Sequence, residues 1–228
     1  LIATIPYWRN DINIEEDLIE EVVRIIGYDE IPTTMLSTPI PNHQQSPMTE
    51  LKSQVREALA AAGLQETISY PLVSLVSLEK INQLDQENLP LHIANPMSMG
   101  QEYMRPTLRS SLMQTLLYNQ EHLDSPFRLF EVGRTFLPRI DELPMEQEVA
   151  AGVGSGLRSE PTWLEPNGYL DFFDAKGILN SALDRLGITA SYQPTDDPTY
   201  HPGRCARIIS GETDLGIFGE IHPEVRTR

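Results

Sequence analysis

The feature of this sequence that most constrains its fold is a set of short apolar runs that follow one another with no helical pattern between them. Residues 128–137, RLFEVGRTFL, and 148–156, EVAAGVGSG, form one pair. Residues 205–210, CARIIS, and 214–221, DLGIFGEI, form another. Each run is bounded by turn residues and has the length of a β-strand. Because no helix separates the members of a pair, we expect antiparallel pairing.

Helical patterns accompany these runs at residues 108–120 and 171–187. Another begins at Ser46 and Pro47, a typical helix start, and ends at Gly63. Its apolar stripe consists of Leu51, Val55, Ala58, Leu59 and Ala62. The stripe fits a core-facing surface best, and contact with a partner is the alternative. Together these patterns predict an α+β fold in which helices flank a mostly antiparallel sheet.

The beginning of the chain contains a dense acidic segment, residues 11–21, DINIEEDLIEE, with six carboxylates in eleven positions. Asn13 is placed to cap a helix here, with Glu16 completing a capping box and Gly27 ending the helix. The residues that recur at helical spacing, and so predict one core-facing side, are Leu18, Val22, Ile25 and Ile26.

A stretch near residues 35–46, MLSTPIPNHQQS, has two prolines and no hydrophobic periodicity, which is typical of a linker. We therefore predict a partial helical module over residues 1–36, a linker over 37–46 and a larger domain over 47–228. The first residue is not methionine and no secretory signal pattern is present, so we expect a piece of a longer protein that ends inside its second domain.

Charge and cysteine content narrow the classes of function. Lys and Arg number 17 against 33 Asp and Glu, a formal net charge of −16, which disfavours nucleic-acid binding. Cys205 is the single cysteine, so no internal disulfide can form. No apolar run is long enough for a membrane span. We expect a cytoplasmic protein with no membrane contact.

The residues that could form catalytic motifs favour structural interpretations. The glycines of residues 151–156, AGVGSG, lack the spacing of a phosphate-binding loop and indicate a closely packed strand. The five histidines form no zinc-binding pair, and the segments HPGR, 201–204, and HP, 222–223, are typical of tight turns. Ser110 and Ser111 lie at a helix start without a nucleophile elbow.

The acidic segment has two interpretations. Carboxylates in the first turns of a helix are stabilised by the helix dipole, so a solvated face is the simpler one. However, Asp17, Glu20 and Glu21 stand at positions i, i+3 and i+4, and Asp11 precedes the helix and can fold back toward it. Four oxygen donors in such a cluster suit Mg²⁺.

Specific motifs extend over nearly the whole chain. Residues 6–32 read PYWRNDINIEEDLIEEVVRIIGYDEIP. Further motifs follow: NPMS at 95–98, MRPTLRSSLMQTLLYN at 104–119, RLFEVGRTF at 128–136, DFFDAKG at 171–177, HPGR at 201–204 and GIFGEIHPEV at 216–225. Together they resemble the β subunit of bacterial phenylalanyl-tRNA synthetase. The first resembles its small metal-linked module, and the others resemble its catalytic-like domain, in the order of that family.

The resemblance implies a class II synthetase fold that has lost catalysis and supports assembly. In that family the α subunit binds phenylalanine and ATP, α and β pair as an (αβ)₂ complex, and tRNA acts through the holoenzyme. The shared Mg²⁺ site of the family corresponds to Asp11, Asp17, Glu20 and Glu21, with a contribution from the α subunit, so we expect weak Mg²⁺ binding by this chain alone.

The resemblance also predicts the loss of an ATP-binding arginine. Active relatives place an arginine after the motif that reads GRTF here, and this chain has Leu137. Arg105, Arg109 and Arg134 can contact an anion, but ion pairs with carboxylates of the same chain are favoured. We assign no catalytic residue. The alternatives are an independent adenylate-forming class II enzyme and, less favoured by charge, a nucleic-acid-binding module.

Overall fold

The computed structural model describes residues 2–39, 44–85, 89–123, 125–139, 142–159, 163 and 168–227. The chain divides into two compact units, Leu1–Gln44 and Gln45–Arg228. We describe each unit by itself. The domain boundaries expected from sequence, 1–36, 37–46 and 47–228, stay a prediction.

The first unit contains helix α1, Glu15–Ile26, and a 3₁₀ turn, Tyr28–Glu30. The predicted cap at Asn13 is wrong, because the helix begins one residue later than that cap requires. Asp17, the third helical residue, instead accepts hydrogen bonds from the backbone N–H groups of Asn13 and Ile14 at 2.8 and 3.1 Å. The predicted end at Gly27 is confirmed, with φ of 110° and its N–H bonded to the Val23 carbonyl.

The core-facing side that the stripe predicted for α1 is wrong for the described residues of the first unit. None of its residues is buried, and Ile25 is 86% exposed. Among the described residues of the first unit, the regular elements are α1 and the short 3₁₀ turn, so no second helix or strand covers the stripe.

The second unit contains five helices and eight strands among the described residues. The helices are α2 (Pro47–Ala61), α3 (Leu75–Lys80), α4 (Arg109–His122), α5 (Phe172–Arg185) and α6 (Pro223–Arg226). The strands are β1 (Gln65–Glu66), β2 (Leu72–Val73), β3 (Tyr103–Met104), β4 (Phe127–Leu137), β5 (Met145–Ser155), β6 (Ser191–Pro194), β7 (Tyr200–Ser210) and β8 (Thr213–Ile221).

The strands form three small sheets, ordered β1-β4-β5, β2-β3 and β6-β7-β8. Strands β4 and β5 pair antiparallel along their full length, from Phe127 opposite Ser155 to Leu137 opposite Met145. The pairs β2–β3, β6–β7 and β7–β8 are antiparallel too, whereas β1 is parallel to β4. The prediction of an α+β unit with mostly antiparallel pairing is therefore confirmed.

Two apolar clusters join helices to these sheets. In the first, Leu108 at the start of α4 and residues of that helix pack on β4, and its buried members are Leu108, Leu112, Leu116, Phe127 and Leu129. In the second, α5 packs on the β6-β7-β8 sheet around Ala206, Ile208 and Phe218. The Phe172 ring stacks on Phe218 with 4.8 Å between ring centroids.

The predicted start of α2 is confirmed, because the Ser46 hydroxyl accepts a hydrogen bond from the Thr49 N–H at 3.3 Å and Pro47 is the first helical residue. The close packing predicted for the AGVGSG segment is also confirmed. A Cβ on Gly152 would lie 3.2 Å from the Leu129 carbonyl oxygen. Gly156 has φ of 102°, and a Cβ there would lie 2.7 Å from Pro126 Cα.

The two histidine-proline segments are not the tight turns that were predicted. His201 lies within β7, where the pairing register with β8 shifts between Tyr200 and Cys205. His222 precedes α6 and caps it, because its Nδ1 accepts a hydrogen bond from the Glu224 N–H at 3.2 Å. In both places the proline lies in a regular element, in β7 at residue 202 and at the first position of α6 at residue 223.

Candidate functional site

The acidic segment is organised around one guanidinium group. Arg9 Nη2 lies 2.7 Å from both Asp11 Oδ2 and Glu21 Oε1. Arg24 contacts the other oxygen of Glu21 at 3.2 Å. The hydrogen bonds from Arg9 lower the pKa of Asp11 and of Glu21 and raise the pKa of Arg9. Two of the four predicted metal ligands thus converge, and the cation between them is an arginine.

The other two predicted ligands have different surroundings. Asp17 bonds the backbone at the start of α1, and the N–H groups of Asn13 and Ile14 lower its pKa. Glu20 is exposed on the same helix. Among the described residues, no group of three or more His, Cys, Asp or Glu side chains is placed to hold a metal ion.

This arrangement does not fit a magnesium ion as it stands. Mg²⁺ requires oxygen ligands in near-octahedral geometry, whereas the position between Asp11 and Glu21 is taken by nitrogen donors of Arg9. Asp17 also has its Oδ2 committed to the helix start. The assignment of Mg²⁺ to Asp11, Asp17, Glu20 and Glu21 therefore stays a prediction.

A buried ion pair lies in the second unit, between strand β4 and the residue that follows β3. Arg105 Nη1 is 2.7 Å from Glu131 Oε1, and the two residues are 4% and 3% exposed. Arg105 Nε donates to the Arg134 carbonyl at 2.9 Å, and Arg105 Nη1 also donates to the Ser69 hydroxyl at 2.9 Å. Charges in such a site are tolerated because each gains several hydrogen bonds.

The other two arginines considered as anion contacts are also paired. Arg109 Nη1 lies 2.9 Å from Asp197 Oδ2, and its guanidinium lies over the Tyr200 ring. Arg134 contacts Glu146 and Glu148. The prediction that these arginines pair with carboxylates of the same chain is confirmed.

Glu148 joins β5 to both β4 and α2. Its Oε1 lies 3.0 Å from Arg134 Nη2 and 3.1 Å from Lys52 Nζ. The hydrogen bond from Arg134 is the main cause that lowers the pKa of Glu148, and Lys52 adds to the effect. Leu137, where the resemblance expects an arginine to be missing, ends β4 opposite Met145.

Comparison with known families decides what these elements belong to. The profile described as the phenylalanyl tRNA synthetase beta chain CLM domain matches residues 31–228, and the profile of the tRNA synthetase B5 domain matches residues 1–28. The chain belongs to the phenylalanyl-tRNA synthetase beta chain family. The resemblance drawn from sequence motifs is therefore confirmed.

Individual relatives of the phenylalanyl-tRNA synthetase beta chain family agree with this assignment. The chain is 39% identical over 218 residues to the phenylalanine–tRNA ligase beta subunit of Dehalococcoides mccartyi strain 195, covering 96% of this chain and 27% of the relative. It is 36% identical over 225 residues to the subunit of that name in Bacillus thuringiensis, covering 97% and 28%. The chain thus spans just over a quarter of the length of these relatives.

In this member of the phenylalanyl-tRNA synthetase beta chain family, sequence reasoning missed an exposed apolar segment beside β1. Residues 67–70, TISY, continue from β1, whose strand partner among the described residues is β4. Ile68 is 91% exposed and Tyr70 is 74% exposed, while the hydroxyl groups of Thr67 and Ser69 bond inward to Phe130 and Glu131. The alternation of polar and apolar residues was the available signal, but it does not tell which face is covered.

The apolar stripe predicted for α2 is partly buried and partly exposed. Ala58 is buried and Val55 and Leu59 are half-buried, which confirms that most of the stripe faces the core. Leu51 is 46% exposed, so the beginning of the helix retains an apolar surface.

None of the described helices is both long and apolar enough to cross a membrane.

Proposed function

We propose that this chain is the non-catalytic structural part of the β subunit of a phenylalanine–tRNA ligase. In this role it supports assembly with the catalytic α subunit in an (αβ)₂ complex, and hence the ATP-dependent attachment of phenylalanine to tRNA. The observation that carries the proposal is that the arginines considered for anion binding are all engaged by carboxylates of the chain itself.

Adenylate formation explains why this observation matters. Negative charge on the triphosphate must be stabilised by cations that are fixed in place and free to contact it. Arg105 is buried against Glu131, and Arg109 is held by Asp197. Leu137 supplies an apolar side chain where the family resemblance expects a cation in active relatives. These features support assignment of phenylalanine and ATP binding to the α subunit.

Exposed apolar residues support a role in assembly. Ile68 and Tyr70 lie beside an edge strand, and Leu51 lies near the beginning of α2. An exposed apolar surface next to an unpaired strand edge is costly in water and is commonly covered by a partner. We assign this surface to contact with the α subunit, because the matched relatives are named as β subunits.

Three further parts of the proposal rest on the family. Contact with tRNA occurs through the holoenzyme, and the location is cytoplasmic. A Mg²⁺ ion at Asp11, Asp17, Glu20 and Glu21 is shared with the α subunit, which would supply ligands that this chain lacks. Because Arg9 holds two of these carboxylates, we expect weak Mg²⁺ binding before assembly.

Calorimetry with ATP and phenylalanine tests the non-catalytic assignment. The chain alone is expected to bind neither ligand at concentrations that saturate the αβ complex, which serves as the positive control. Saturable binding of both ligands by the chain alone would instead support an independent adenylate-forming enzyme.

A further inference from the structure

Ser69 connects an exposed apolar pair to a buried ion pair. Its hydroxyl donates a hydrogen bond to Glu131 Oε2 at 2.6 Å and accepts one from Arg105 Nη1 at 2.9 Å. Its two neighbours in sequence, Ile68 and Tyr70, are the exposed apolar residues of the segment beside β1. A single hydroxyl therefore links the outer face of this segment to the interior.

The backbone of the segment is held at its two ends. The Thr67 N–H donates to the Phe130 carbonyl at 2.7 Å, and the Arg105 N–H donates to the Pro71 carbonyl at 2.9 Å. Strand pairing between β1 and β4 ends at Glu66. Within the part of the chain that the structure describes, the hydrogen bonds that hold residues 68–70 are those of the Ser69 side chain.

The group that Ser69 contacts is itself fixed. Arg105 is held by Glu131 and by the Arg134 carbonyl. Gly133 leaves the space that the guanidinium occupies, since a Cβ at that position would lie 2.4 Å from Arg105 Nη2. A buried, hydrogen-bonded pair of charges has few alternative arrangements, because any movement leaves a charge unpaired. Ser69 is thus anchored to a rigid point.

We infer that Ser69 is a positioning residue that holds Ile68 and Tyr70 on one outward face for contact with the α subunit. With the hydroxyl bound inward, the neighbouring side chains of this extended segment point outward together. A surface ordered before binding loses less conformational entropy when the partner docks. This inference rests on the proposed function and adds a residue that makes no contact with the partner itself.

The test uses the full-length β subunit and its α subunit, with the dissociation constant of the pair and the melting temperature of each variant measured together. Ser69→Ala is expected to weaken association roughly tenfold, because the anchor is lost. Ser69→Thr keeps the hydroxyl and should restore association to within about twofold of wild type. Thr67→Ala is the matched control, because it removes a hydroxyl from the same segment but keeps the backbone bond to Phe130.

Ile68→Asp separates this inference from the proposed function. If Ile68→Asp weakens association while Ser69→Ala behaves like Thr67→Ala, the surface binds the partner but Ser69 does not position it, and the inference is wrong. If Ile68→Asp leaves association unchanged, the surface itself is not a partner contact. Weakening by Ser69→Ala with recovery in Ser69→Thr, at equal melting temperatures, supports the inference.

Discussion

Glu131 accepts a hydrogen bond from Arg105 at 2.7 Å in a site where both side chains are almost completely buried. We predict that Glu131→Ala lowers the free energy of unfolding by about 3–5 kcal/mol, because it leaves an unpaired guanidinium in the interior. Urea denaturation measures this change. Glu146→Ala removes an exposed partner of Arg134 and should cost less than about 1 kcal/mol. If the two variants lose equal free energy of unfolding, burial does not decide the cost of removing a partner from an ion pair.

The exposed beginning of α2 gives a prediction about assembly. Leu51→Asp should weaken capture of the α subunit without lowering the melting temperature, because about half of this side chain is in solvent. Ser53→Asp, an equal change of charge at another exposed position of the helix, is the control. If both variants capture the α subunit as well as wild type does, α2 is not part of the interface.

Leu137 tests whether catalysis can be restored by one residue. We predict that Leu137→Arg gives no phenylalanine-dependent pyrophosphate exchange, because a single cation restores only part of the charge stabilisation that adenylate formation needs. The αβ complex is the positive control. Exchange above background by the variant alone would show that the other groups required are already in place.

The loss of folding stability at acid pH should depend on Asp174. The hydrogen bonds from Arg158, followed by the backbone bond at Asp171, lower the pKa of Asp174 in the folded chain. This carboxylate therefore stabilises the fold above its unfolded pKa of about 4, and the contribution is lost as pH falls through the lower folded value.

Asp174→Asn should reduce the free energy of unfolding at pH 7 by less than about 1 kcal/mol, because Arg158 is half exposed. It should also flatten the loss of stability below about pH 4. Denaturation at several pH values measures both effects. Glu57→Gln, at an exposed position of α2, is the control for the removal of one carboxylate. If the free energy of unfolding of Asp174→Asn falls below about pH 4 as steeply as that of wild type, Asp174 does not contribute to the acid dependence.

The metal prediction is tested at the acidic helix. If Mg²⁺ is shared between subunits, the double variant Glu20→Gln with Glu21→Gln should lose most of the Mg²⁺ dependence of α-subunit association. The wild-type chain alone should show little Mg²⁺ binding, because Arg9 already neutralises Asp11 and Glu21. Equal association of both proteins with and without Mg²⁺ would identify these carboxylates as a solvated helix face.

Elements with a strong local pattern were predictable from sequence. Strands β4, β5, β7 and β8 and helices α4 and α5 carry long apolar or periodic runs, and each is present. Helix α3 and strand β6 were missed because they have six and four residues, too few to establish a period. The start of α1 was misplaced by one residue because Asp17, and not Glu16, is the third helical residue whose carboxylate accepts the backbone N–H groups before the helix.

The candidate site was less predictable because its contacts join distant parts of the chain. Ser69 and Glu131 are 62 positions apart, and Arg105 and Glu131 are 26 apart. Composition favoured ion pairing for the arginines but did not identify the partners. The exposure of Ile68 depends on which side of β1 is paired, and that is a property of the sheet rather than of the segment.

Size-exclusion chromatography of this chain mixed with the α subunit at micromolar concentration tests the proposed role in assembly most directly. We predict that the two elute together as a complex larger than either alone, in the absence of ATP and phenylalanine. Separate elution of the two proteins, with the chain confirmed as folded by circular dichroism, would contradict a role in assembly.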